Sequence, residues 1–397
     1  MRIEVQGAVD PRFRRVQDVF EENFGRRAEV GASVCAWVDG QKVVDLWGGL
    51  ADVRTGRPWE EDTLGFLFSS TKGLTALAML MLADRGKLDH DAPVAEYWPE
   101  FARNGKEAIT VRQLLNHRSG LCAIDRPLTL DDLEDPARVA PALEAQEPLW
   151  EPGTHQGYCG VSFGIYVAEL FRRIEGRTIG RFLAEEVSAP LGADIHLGLP
   201  PEAEERVATV YPPRRRDRIL RGLPRLVWGR GVEGRVFRAF ADKSSRTARA
   251  FANPAELGPK ALRNVNTPRV HRMELPWMNG IANARSLATV YATLAGVASS
   301  EVQLVVPELL EEVQRRQSWQ VDRVLRKPMG FSLGFVKEES HLFSPYPETF
   351  GHPGAGGCVG FADPPRRLAF GYVMNRMDWH LRSPRCLALC HAVYDCL

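Results

Sequence analysis

Ser69 and Lys72 stand three residues apart in Ser69-Ser70-Thr71-Lys72. An apolar lead-in, Gly65-Phe66-Leu67-Phe68, precedes them, and Gly73 to Leu82 follows. The second stretch is rich in Ala, Leu and Met, so its composition predicts a helix beginning near Ser69. Positions three apart share a helix face. The Ser69 hydroxyl and the Lys72 amine would then point into one space, and a serine becomes a nucleophile when a neighbouring group takes its proton. A helix N-terminus adds backbone N–H groups and a positive dipole end that suit an oxyanion. The motif is short enough to arise by chance, as an ordinary serine at a helix start with lysine one turn on. Its weight therefore depends on what accompanies it.

The elements that would position this pair are legible on both sides. Asp10-Pro11 reads as a helix cap and first helical residue. Phe13, Val16, Val19, Phe20 and Phe24 follow at helical spacing. Two apolar runs, Ala32 to Val38 and Val43 to Trp47, flank Asp39-Gly40, a hairpin signal. Helical patterns dominate from about Thr75 to Gly176, including Val111 to Leu115 and Ile165 to Ile174. The stretch from Pro200 to about Pro276 is Pro- and Arg-rich and irregular. Beyond Pro328, strands are predicted at Gly330 to Val336, Leu342-Phe343, Cys358 to Ala362 and Leu368 to Met374, with a turn at Asp363-Pro364-Pro365 and a final helix from Pro384 to Cys396.

This order lacks the regular βαβα alternation of a parallel sheet. It predicts an α+β fold in which the first and last strands form one antiparallel sheet flanked by the terminal helices. Residues of about 1–68 and 320–397 would make the α/β part of a single 1–397 unit. Residues of about 69–319 would make a mainly helical part, with Ser69 at the seam, where ligand clefts are common.

The 397 residues suffice for a large core. Charged residues make up 25% and apolar residues 44%, as in ordinary globular proteins, and the net charge of +1 indicates no acidic partner. No run of 18 apolar residues occurs, and Met1 to Gln6 lacks the apolar core of a signal peptide. The seven cysteines fit neither a zinc site nor a disulfide framework, so a reducing cytoplasm is the expected location. No metal-ligand spacing and no nucleotide fingerprint occurs, so no metal or other cofactor is expected.

Three further segments accompany Ser69 and Lys72. They are Trp150-Glu151-Pro152-Gly153-Thr154-His155-Gln156-Gly157-Tyr158, Leu114-Leu115-Asn116-His117-Arg118-Ser119-Gly120-Leu121 and Phe350-Gly351-His352-Pro353-Gly354-Ala355-Gly356-Gly357. With Asp45-Leu46-Trp47-Gly48-Gly49 they resemble, in order from about Gly7 to Met377, the serine β-lactamase and penicillin-binding protein superfamily. The match is strongest to its esterase branch, the family VIII carboxylesterases related to class C β-lactamases. The resemblance implies a β-lactamase/DD-peptidase-like fold. It makes Ser69 the nucleophile, Lys72 the group that lowers its pKa and Tyr158 the partner general base. His352-Pro353-Gly354 would occupy the place of a Lys-Thr-Gly third motif, with the Ser69 and Ala355 amides as oxyanion hole. Gly160 stands where the family often has Asn, and His352 and Pro353 replace Lys and Thr. These departures disfavour β-lactam turnover and favour plain esters, and a histidine there adds a group that titrates near neutral pH.

Other features have competing readings. Gly160-Val161-Ser162-Phe163-Gly164 has the form of a nucleophile elbow, but no buried strand precedes it, so Ser162 reads as a small packed residue. His117 reads as a hydrogen-bonding structural residue, and His352 either as substrate or oxyanion support or as packing at a strand edge. Asn279-Gly280 reads as a tight turn lining the cleft. The 212–249 segment carries twelve basic against three acidic residues with interleaved apolar ones. It reads as a lid over the cleft, with a membrane-surface or anionic-substrate patch as the alternative; nucleic acid is not expected. The reading is a serine hydrolase of small esters acting through acyl-Ser69. The alternatives are β-lactam or D-amino-acid peptide hydrolysis, acyl transfer to another acceptor, or a non-catalytic scaffold. The oligomeric state is left open.

Overall fold

The computed structural model describes residues 3–214, 224, 229–258, 261–298, 301–337 and 343–397. Its main sheet is antiparallel throughout. The strands in chain order are β1 (Val5–Val9), β2 (Gly31–Val38), β3 (Gln41–Asp52), β4 (Arg57–Pro58), β5 (Gly65–Phe66), β6 (Ile195–Leu197), β7 (Gly280–Ala282), β8 (Ser318–Val321), β9 (Pro328–Ser332), β10 (Phe335–Val336), β11 (Phe350–Pro353), β12 (Val359–Asp363) and β13 (Leu368–Met374). The spatial order is β1-β3-β2-β13-β12-β11-β10-β9-β8, with β4 on β3, and β5-β7-β6 form a separate small sheet. The first strands thus pair with the last, through β2 against β13, as the sequence predicts.

Local chemistry explains the pairings. Asp39 and Gly40 both have positive φ, 50° and 80°, the backbone of a two-residue hairpin turn matched to strand twist. Leu333 and Gly334 repeat the device, at 46° and 91°, and split the predicted Gly330–Val336 strand into the β9–β10 hairpin. Strand alternation then assigns the two faces of the sheet. On one face Phe361 and Phe370 lie against each other, and Phe361 stacks on Tyr394 of the Pro384–Tyr394 helix. That helix is tied to the Arg14–Arg26 helix where Asn23 Nδ2 donates to the Arg385 carbonyl at 3.4 Å. On the other face, Gly360 and Gly371 sit directly opposite each other. A Cβ on Gly371 would fall 2.4 Å from the Ala284 carbonyl, so only glycine lets the Ala284–Leu294 helix approach this closely.

The Thr71–Asp84 helix has Thr71 through Leu82 all buried, an apolar-all-round pattern that belongs inside a fold. It packs against the Ser162–Glu175 helix and against β10 and β11, which brings the helix to the strand that carries His352.

Some expectations need correction. Phe343 lies in a bend, not a strand, and Leu342 lies outside the described residues. β8 has no apolar alternation, since Trp319 and Val321 are exposed on an edge strand; it forms by pairing with β9. In the basic 212–249 segment, residues 215–223 and 225–228, on which much of the lid and membrane-surface reading falls, lie outside the described residues. Its described remainder holds the Val232–Ala241 helix, whose Phe240 packs on Phe251 at 5.2 Å between ring centroids. Among the described residues no helix is long and apolar enough to cross a membrane.

Candidate active site

Ser69 lies in a short 3-10 turn, Phe68–Ser70, that runs directly into the Thr71–Asp84 helix. Phe68 has φ 47°, a conformation a bulky side chain rarely takes, and it tips Ser69 to a half-buried position at the helix start. The turn is held from several sides. Leu67 N–H donates to the Gly280 carbonyl at 2.8 Å, and Thr71 Oγ1 donates to the Phe68 carbonyl at 2.6 Å while accepting from Gly280 N–H at 2.8 Å. The Cys358 thiol donates to the Leu67 carbonyl at 2.8 Å.

Lys72 is fully buried, and its Nζ lies 3.4 Å from Ser69 Oγ. Nζ also donates to the Gly160 carbonyl at 2.8 Å and the Trp277 carbonyl at 2.9 Å. Burial disfavours the ammonium and, outweighing the opposing influence of Cys159, pushes the Lys72 pKa down to about 7. The hydrogen-bond count has a direct consequence. A neutral amine has two N–H groups and one lone pair. The two carbonyls take the N–H groups, which leaves the lone pair for the proton of Ser69.

Tyr158 is buried, with its ring 5.1 Å from Lys72 Nζ. The ring lies nearly parallel to Phe331, with the His117 and His352 rings at centroid distances of 5.1 and 6.1 Å. His352 ends up on β11 with Nδ1 2.8 Å from the Pro353 carbonyl, which fixes the proton on Nδ1 and leaves Nε2 as a buried acceptor without a partner. Burial, then the nearby Lys72, pushes the His352 pKa down to about 3. The histidine therefore does not titrate near neutral pH as the sequence suggested; it is a neutral imidazole. His117, at φ 57°, accepts from Cys159 N–H at 3.2 Å and is likewise held neutral, well below its ordinary pKa, by burial and Lys72.

Gly354 closes the site. A Cβ there would fall 2.4 Å from the Leu67 carbonyl and 2.2 Å from Cys358 Sγ, so its backbone abuts the turn bearing Ser69. Ala355 follows, exposed, in the Ala355–Gly357 turn. That turn is braced from behind: Arg385 Nη2 donates to the Gly356 carbonyl at 3.2 Å, and so does Asp378 N–H.

Ser69, Lys72, Tyr158, His352, Gly354 and Ala355 therefore converge from three distant segments. Ser162 stays apart from this group: it starts the Ser162–Glu175 helix with Oγ donating to the Leu121 carbonyl at 2.6 Å, nearly sealed from solvent. The Gly160 departure also has a reason, since a Cβ there would meet the Phe251 ring at 2.4 Å. Sequence reasoning missed the two carbonyls that hold Lys72. The nearest signal was Asn279-Gly280. The buried Asn279 side chain accepts from Leu275 N–H and donates to the Val270 and Met273 carbonyls, which fixes the loop presenting Trp277.

A serine beside a desolvated lysine, under a tight glycine-containing turn at the end of a strand, is the arrangement of a serine acyl-transfer site. The beta-lactamase family model matches residues 16–389, and the chain belongs to that family. It is 35% identical over 377 residues to an esterase/beta-lactamase, LipL, of Mycobacterium tuberculosis, covering 94% of this chain and 83% of that protein. A family VIII carboxylesterase crystal structure superposes with a TM-score of 0.86 at 37% identity, covering 99% of this chain and 100% of that one. A penicillin-binding protein homologue from Caulobacter crescentus gives a TM-score of 0.85 at 33% identity, over 99% and 100% of the two chains. The resemblance drawn from the motifs and the α+β class are thereby borne out.

Proposed function

We propose that the protein is a serine carboxylesterase that hydrolyses small carboxylic esters through a covalent acyl-Ser69 intermediate. One observation carries this reading: Lys72 Nζ, fully buried and with its pKa at about 7, lies 3.4 Å from Ser69 Oγ. The Lys72 lone pair takes the Ser69 proton as Oγ bonds to the ester carbonyl carbon. The Ser69 and Ala355 amides receive the oxyanion, a contribution of about 10²–10³ per donor in such sites. The tetrahedral adduct collapses, the C–O bond to the alcohol breaks, and the proton passes through Lys72 and Tyr158 to the leaving alkoxide. Water then repeats the sequence on the acyl ester and frees Ser69 and the acid.

His352 sharpens the substrate class. As a neutral imidazole with a bare Nε2 it brings no positive charge for a substrate carboxylate. This supports uncharged esters over β-lactams, which carry a carboxylate. The name and identity of the esterase/beta-lactamase relative support the same chemistry. All seven cysteines are free thiols, which supports a cytoplasmic location.

The test is intact-protein mass spectrometry after mixing with p-nitrophenyl butyrate, with peptide mapping of the trapped acyl group. An adduct on the Ser69 peptide, absent in Ser69→Ala, is the expected result. An adduct on Ser162 would overturn the mechanism. Neither adduct nor nitrophenol release would point to the β-lactam or non-catalytic alternatives.

A further inference from the structure

Behind the Ala355–Gly357 turn lies a second cavity of about 320 Å³, between the end of the Arg14–Arg26 helix, the 376–380 segment and the start of the Pro384–Tyr394 helix. Arg27, Arg214, Arg376 and Arg385 contribute to its lining, with Asp378 among them. The charge is unevenly balanced. Arg27 is satisfied by Asn23 and Glu22, at 3.0 and 3.3 Å. Arg385 is satisfied by Glu29 at 2.6 Å. Asp378 is occupied by His380 at 2.7 Å and Ser383 at 3.1 Å.

Arg214 and Arg376 are different. Among the described residues neither has a carboxylate partner, and Arg376 Nε is buried without any hydrogen-bond partner. Burial, then the fields of Arg214 and Arg385, press against the charge on Arg376, and the more weakly acting Glu29 and Tyr211 oppose them without reversing the direction. Among the described residues no carboxylate forms an ion pair with either guanidinium, and the planar fork of arginine matches the geometry of a phosphate oxygen pair. Trp379, ring against ring with His380 at 3.7 Å, forms an aromatic wall beside the guanidiniums. The cavity is several times larger than a bare oxyanion, so it has room for an organic body attached to one.

We propose that this cavity binds a phosphomonoester, with the phosphate dianion taken by Arg376 and Arg214 and the organic portion lying along Trp379. This site is separate from the Ser69 cleft and does not depend on the esterase reading. Two sources share the chemistry, a free phosphate ester and the headgroup of an anionic lipid.

The test is calorimetric titration of the full chain with glycerol 3-phosphate and with inorganic phosphate at constant ionic strength. It is paired with flotation on vesicles of phosphatidylcholine with and without phosphatidic acid. Arg376→Gln and Arg214→Gln serve as variants, with unliganded Tm as the folding control. The expected result is saturable binding weakened at least ~10-fold by Arg376→Gln at unchanged unliganded Tm. Soluble binding without flotation assigns the free ester, and flotation dependent on phosphatidic acid assigns the lipid. Absence of both overturns the proposal, as does binding that persists unchanged in both variants. If Arg376→Gln lowers the unliganded Tm, Arg214→Gln alone decides.

Discussion

Lys72 and Arg385 are both basic side chains sealed from water, one in the cleft and one in the first turn of the C-terminal helix. Arg385 meets a carboxylate: Glu29 lies 2.6 Å away, and the same carboxylate takes a short hydrogen bond from Tyr372. Arg385 stays charged and turns its remaining N–H groups onto the Gly356 and Arg376 carbonyls. Lys72 hydrogen-bonds to two carbonyl oxygens and the Ser69 hydroxyl, and among the described residues it forms no ion pair with a carboxylate. Burial outweighs what favours its positive charge, so its proton becomes easy to lose. Burial with a counter-ion makes a brace, and burial without one makes a base.

Substitutions at the two cations should therefore fail in opposite ways. Lys72→Met should lower acylation by about 10²–10⁴ in stopped-flow nitrophenol release while thermal unfolding shows an intact fold. A folded Lys72→Met protein with near-normal acylation would break the comparison. Arg385→Met should do the reverse. It leaves Glu29 buried without its partner, at a cost of about 3–5 kcal/mol in urea unfolding, more than in Glu29→Gln/Arg385→Met, where both charges are gone. Equal losses in the single and double variants would mean that the pair is not the brace described.

The contrast also sets a pH dependence. Below about pH 7 Lys72 is protonated and its lone pair is gone, so kcat/KM should rise with pH through about 7. Stability carries the matching sign. The folded chain holds this proton less tightly than the unfolded one, so between about pH 7 and the ordinary lysine range the unfolded chain binds more protons. The contribution of Lys72 to stability therefore rises with pH across that window. A rate that is flat from pH 5.5 to 8.5 would contradict the base assignment. The smallest expected effect is at Ser162→Ala, which should cost about 1 kcal/mol of stability through the loss of its bond to Leu121 and leave acyl-Ser69 formation unchanged.

Features carried by neighbouring residues were legible in the sequence. Asp39-Gly40 marked a hairpin, Leu368 to Met374 a strand, and the Ser69–Lys72 spacing placed both groups at the start of one helix. What stayed hidden depends on distant chain. The Gly160 and Trp277 carbonyls lie 88 and 205 residues from Lys72. No local pattern signals that a backbone oxygen will meet a lysine. His352 shows the same limit. Its identity suggests a titrating group, and only its depth beside Lys72 reveals that it stays neutral.

The positive φ at Phe68 has a consequence for how the protein fails on heating. A left-handed phenylalanine costs about 1–2 kcal/mol and cannot hold that shape alone. The Gly280, Thr71 and Cys358 contacts hold it, and Gly280 belongs to a three-residue strand in the small sheet. Loosening that strand would let Phe68 relax and turn Ser69 away while the main sheet stays paired. Heat should therefore silence the enzyme before it melts, with inactivation midpoints several degrees below the calorimetric transition.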